Sequence, residues 1–223
     1  MNKIQCEFDE DRELIINDNS YEYANKCAFG KRSKAKHYIK KFYDNHKFRY
    51  ALEYKLNENQ GKTIAIILMN PSFADNNHLD NTLYNVKKFI ENLDKNNEYS
   101  KFIVLNIFPI RTPNSDRLIE TMDNYKLQQE KNDNTIFSTL SEVKDVIVAW
   151  GGNYHKVAKN KEWFKKLKSK SIAKYAYGIN QDGTPKHFSP YAYDYNKIDY
   201  ENTTLDNYKV EFKNNEDIFI INS

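Results

Sequence analysis

The side chains best suited to chemistry in this sequence each follow a run of apolar residues. Asn70 stands in Met69-Asn70-Pro71-Ser72, with Phe73, Asp75, Asp80 and Thr82 downstream. A second run holds Asn106 near its end and is followed by Arg111, Trp150 ends a third and leads into Gly151, and His187 lies in a proline-flanked loop after a fourth. An asparagine at a strand end can project a fixed amide while the next backbone N–H groups face an anion or a base. A guanidinium suits an anion or phosphate clamp. A histidine on a loop can donate to a developing negative charge or act as a general acid. Plainer readings stand beside these. Asn-Pro-Ser can be a turn in which Ser72 or Asp75 caps a helix. Arg111 can form a surface salt bridge, and Trp150 can be a core residue before a tight Gly151-Gly152 turn.

The elements that must position these groups can be read from the apolar pattern. Residues 63–69 (TIAIILM), 101–107 (KFIVLNI), 145–150 (DVIVAW) and 171–177 (SIAKYAY) are the four runs. The first three are continuous and β-branched, as in strands of a parallel sheet covered on both faces. Helical spacing fills the gaps. Residues 81–94 place Leu83, Val86, Phe89, Ile90 and Leu93 on one stripe, and 133–143 do so with Ile136, Phe137, Leu140 and Val143. Residues 159–170 carry Trp163, Phe164 and Leu167 among lysines. Alternation of strand and helix predicts a three-layer α/β sandwich around a mostly parallel four-stranded sheet. Ligands of such sheets bind beyond the carboxyl ends of the strands, where all these polar groups collect.

Composition sets the class. The chain has 223 residues, 39% of them hydrophobic, and a net charge of +3. It is long enough for a core without metal or disulfide staples. Cys6 and Cys27 are the two cysteines; with no secretory segment near Met1 they read as free thiols of a cytoplasmic protein. No apolar run approaches the ~20 residues that span a bilayer, so no membrane partner is expected. Asp75, His78 and Asp80 are metal ligands by type, but their spacing matches no metal motif. No metal and no cofactor is therefore expected. One lysine and arginine cluster runs from Lys31 to Lys41, another from Lys156 to Lys170. A solvated face and a nucleic-acid track both fit such clusters.

The ordered motifs resemble the bacterial and phage family of domain of unknown function 1643. The matching elements are Arg49-Tyr50-Ala51-Leu52, then Met69-Asn70-Pro71-Ser72-Phe73-Ala74-Asp75 with Asp80-Asn81-Thr82. Asn106-Ile107-Phe108-Pro109-Ile110-Arg111, Ala149-Trp150-Gly151 and Gly183-Thr184-Pro185-Lys186-His187 complete the set. After that histidine the family usually has Pro-Leu-Tyr, whereas this chain has Phe188-Ser189-Pro190-Tyr191. The resemblance implies a core at 49–192, with an amino-terminal extension (1–48) and a carboxy-terminal one (193–223) bearing short edge strands. The layout is also similar to the uracil-DNA glycosylase superfold. That likeness implies Asn70 orienting a water, His187 steadying the departing base, Phe73 stacking on it and Asn106 reading its edge. Asp75 joins Asn70 and His187 as a candidate catalytic residue. Ser72, Phe73, Asp80, Thr82, Asn106, Arg111, Trp150 and Gly151 are candidate substrate contacts.

Three functions follow as expectations. The first is an enzyme of nucleobase or nucleotide chemistry that hydrolyses an N-glycosidic bond. The second is a non-catalytic module that binds a nucleotide or nucleic acid, in phage–host conflict. The third is a phosphate-ester enzyme using a metal at Asp75 and Asp80.

Overall fold

The structure, a computed structural model, describes residues 38–45, 48–71, 80–112, 118–190, 192–194, 197–213 and 216–221. In chain order the elements are β1 (Tyr38–Asn45), β2 (Phe48–Lys55), β3 (Lys62–Leu68), α1 (Asn81–Leu93) and β4 (Tyr99–Asn106). Then come α2 (Leu118–Asp123), α3 (Lys126–Glu142), β5 (Asp145–Val148), α4 (His155–Lys159), α5 (Glu162–Leu167) and β6 (Ala173–Tyr175). A 3-10 turn (Leu205–Tyr208) leads into β7 (Lys209–Phe212), and β8 (Phe219–Ile221) ends the series.

The sheet departs from expectation. It has eight strands in the order β1-β2-β4-β3-β5-β6-β7-β8 and is mixed. The four predicted strands do form its parallel centre, β4-β3-β5-β6. Antiparallel strands flank them: β2 on β4, β1 on β2, β7 on β6 and β8 on β7. The physical reason is that strands joined by helical crossovers leave two open edges, and antiparallel pairing covers them.

The apolar periodicity accounts for the layers. Ile64 through Leu68 are all buried, as a strand covered on both faces requires. Ile64, Ile66 and Leu68 meet Leu83, Val86, Phe89, Ile90 and Leu93 of α1. Ala65 and Ile67 face the other way, in one cluster with Ile136 and Leu140 of α3 and Trp163, Phe164 and Leu167 of α5. Each large apolar side chain so buried contributes about 2 kcal/mol.

The helices differ in extent from the sequence reading. α3 begins at Lys126, and its buried stripe is Asn132, Ile136 and Leu140. Phe137, expected on that stripe, is 43% exposed, with the Lys166 ammonium over its ring. The helix expected at 159–170 is the shorter α5, with Trp163, Phe164 and Leu167 buried as its stripe, and a separate short helix, α4, precedes it.

Candidate functional site

β3 lies between β4 and β5, and the chain leaves it toward β4 first and β5 later. This is the switch point of the parallel centre, and in open α/β sheets ligands bind at such a point, where the strand-end loops diverge.

On the β3–β4 side the exit loops are tied together. Thr112 donates its N–H to the Pro71 carbonyl at 3.1 Å. Asn70 donates its Nδ2 protons to the carbonyls of Thr112 (2.7 Å) and Pro71 (3.1 Å). With both protons engaged, the group Asn70 has left to offer is Oδ1, an acceptor. Ile107 and Phe108 donate their N–H groups to Leu68 and Met69 of the β3 end, at 2.9 and 3.0 Å.

Asn106, the last residue of β4, is fully buried. Among the described residues neither its Nδ2 nor its Oδ1 has a hydrogen-bond partner. An unpaired buried donor or acceptor costs ~1–3 kcal/mol, so a carboxamide with both atoms orphaned is a poor choice for packing alone.

Asp80 occupies the N-cap of α1, with Oδ1 accepting the Leu83 N–H at 2.8 Å. The signal for this cap was the place of Asp80 directly before the helical stripe; the caps expected at Ser72 or Asp75 lie outside the described residues. Burial pushes its carboxyl up. The N–H groups of Leu83 and Thr82, with the guanidinium charges of Arg49 and Arg111, oppose that shift. Both arginines are buried, 1% and 2% exposed, so Arg111 is no surface residue. Arg49, which sequence reasoning placed only in a family motif, belongs to this corner of the site. The buried polar group Asn132 was missed; its spacing with Ile136 and Leu140 was the available signal.

On the β5 side, Trp150 packs in the core. Its indole is 1% exposed, donates to His155 Nδ1 at 3.2 Å and meets Trp163, Phe164 and Phe219 edge-on. Gly151 follows with φ +79°. A Cβ there would lie 3.6 Å from that of His187, so the end of β5 abuts the histidine loop.

His187 is held from several directions. Its Nδ1 accepts the Ser189 N–H at 3.0 Å. Its carbonyl accepts from the Tyr177 hydroxyl at 3.0 Å. Asn85 of α1 donates to the Phe188 carbonyl at 3.0 Å, and the Phe188 ring packs on Phe89, Tyr177 and Tyr193. Burial pushes the imidazole down to about 4, so the ring is neutral at physiological pH. With Nδ1 accepting, its proton sits on Nε2.

Asn70, Asp80, Thr82, Asn106 and Arg111 thus gather around the ends of β3 and β4. Gly151 and His187 gather at the adjoining end of β5, which pairs with β3 (Ala149 N–H to the Ile67 carbonyl, 3.0 Å). Among the described residues no hydrogen bond joins His187 to Asn70 or Asn106. Ser72, Phe73 and Asp75 lie outside the described residues, as does His78. Among the described residues no group of three or more histidine, cysteine, aspartate or glutamate side chains could hold a metal ion, and no helix is long and apolar enough to cross a membrane.

Residues 49–188 match the model of a family described as a protein of unknown function (DUF1643). The chain belongs to that family. The DUF1643 match spans both groups of strand-end residues, from Arg49 to His187. No curated protein and no solved structure matches the chain.

Proposed function

We propose that the protein recognises a nucleobase, free or as part of a nucleotide, in the crevice beyond β3, β4 and β5. The observation that carries this reading is the Asn106 carboxamide, buried with donor and acceptor both unmet among the described residues. A nucleobase edge presents an adjacent acceptor and donor, the complement of a primary amide, and a base removed from its stack is read in this way.

N-glycosidic hydrolysis is the reaction the remaining groups suit best. Its transition state needs a positioned water and a donor to the departing base. Asn70 has an acceptor oxygen to orient the water. A neutral His187 has an Nε2 proton to donate as the base leaves with its electron pair. Because burial holds the ring near 4, this role is hydrogen-bond donation and not transfer from an imidazolium. The arrangement is in this respect similar to the uracil-DNA glycosylase superfold.

A nucleic-acid backbone track has less in its favour. Lys161 pairs with Asp133, Lys165 with Glu162 and Lys168 with Asp217, as a solvated, self-neutralising face would.

The test is incubation of wild-type and Asn70→Ala protein with nucleosides, nucleotides and modified-base DNA, monitored for free base and for binding. Release of base by the wild type and its loss in Asn70→Ala supports the hydrolase. Binding without product supports the non-catalytic module. Absence of both across the panel overturns the proposal.

A further inference from the structure

The buried asparagine of α3 lies directly behind Asn106. β2 pairs with β4 only as far as Val104, so the carbonyls of Asn106 and Ile107 lie beyond its last ladder pair. α3 supplies their donors. Asn132 Nδ2 reaches the Asn106 carbonyl at 2.8 Å and the Ile107 carbonyl at 3.1 Å. Gln129 Nε2 reaches the Ile107 carbonyl at 2.9 Å.

The effect is to clamp two successive peptide planes. The 106–107 peptide is held at its oxygen by Asn132 and at its N–H by the Leu68 carbonyl, 2.9 Å away. The 107–108 peptide is held at its oxygen by Asn132 and Gln129, and at its N–H by the Met69 carbonyl at 3.0 Å. The clamped 106–107 plane, together with the 105–106 plane that the β3–β4 ladder holds, fixes the direction of the Asn106 Cα–Cβ bond. Asn132 is itself fully buried, and among the described residues its Oδ1 has no partner. In the middle of a packed stripe, a leucine would carry no such orphan.

We propose that Asn132 is a positioning residue, holding the β4-end carbonyls so that the Asn106 carboxamide keeps one orientation. The inference rests on the reading of Asn106 as the ligand-contacting group. Asn132 acts through the backbone and touches no ligand.

The test observes Asn106 directly, in the 15N-labelled full-length chain, with its side-chain amide pair assigned by its loss in Asn106→Asp. The wild type should show one sharp, exchange-protected pair. Asn132→Leu should broaden or split that pair and speed its hydrogen exchange at least about tenfold, the equivalent of one net hydrogen bond. Gln129→Leu, which leaves the Asn106 carbonyl held, should change it far less. Asn132→Ser, small and too short to reach both carbonyls, is the second variant should the leucine prevent folding. A folded Asn132 variant that melts lower with the Asn106 pair unchanged overturns the proposal, because a purely structural role predicts that result. Titration with the free bases adenine, guanine, cytosine and uracil forms the second arm. About tenfold weaker binding in Asn132→Ser is expected there. A wild type that binds none of the four removes the reading of Asn106 as a base contact, while the amide signals still decide the role of Asn132.

Discussion

At the scale of single residues, Asn106 places stability and recognition in opposition. Leucine is close to asparagine in size, and β4 offers apolar surroundings on the α1 face. Asn106→Leu should therefore raise unfolding free energy by ~1–3 kcal/mol in a denaturant titration, by removing two orphaned polar atoms. The same variant should lose ligand binding. A destabilised Asn106→Leu would mean that the amide is satisfied in the folded protein and is no recognition group. Sequence motifs flagged Asn70, Asn106, Arg111 and His187, because polar residues at the ends of apolar runs stand out. They did not reveal that both Asn70 amide protons are engaged by carbonyls, since that depends on how two distant loops close on each other.

At the scale of elements, the histidine loop depends on Gly183. Its φ is +77°, and a Cβ there would lie 2.6 Å from the Ile218 Cβ. Phe219 donates its N–H to the Gly183 carbonyl at 2.8 Å, so β8 grips the loop at this point. Gly183→Ala combines left-handed strain of about 1–2 kcal/mol with a clash against a branched side chain. It should lower the melting temperature, and heteronuclear spectra should show the changes centred on 178–188 and β8. Resonances confined to the substituted residue would show that the loop accommodates the methyl. α1 was fully legible, since its five apolar residues recur at helical spacing and all are buried. α3 was only half legible. Its buried stripe includes an asparagine and leaves out a phenylalanine, and a reading by hydrophobicity inverts both. The short edge strands expected in the carboxy-terminal segment are β7 and β8, whereas β1 and β2 were not read as strands of the sheet, because β2 joins it through β4, far away in sequence.

At the scale of the whole molecule, two buried neutral histidines link stability to pH. Burial holds His187 down to about 4 and also lowers His155. In the unfolded chain both titrate near 6.5. Between those values the unfolded state binds more protons, so stability is complete above about pH 6.5 and falls as the pH drops toward 4. His187 alone accounts for about 3 kcal/mol at most. Chemical denaturation at pH 7.5 and 4.5 should show a smaller difference for His187→Gln than for the wild type. Equal differences would place His187 in solvent.

The grip of β8 on the Gly183 turn also bears on how the molecule is made. A chain emerging from the ribosome folds from its amino end, and the parallel centre through β6 can assemble before residue 219 has been synthesised. The turn that leads to His187 has no Phe219 N–H to hold it until then. Nascent protein should therefore acquire its core well before its site is set. Ligand added during translation would find nothing to bind until the last residues of β8 have left the exit tunnel.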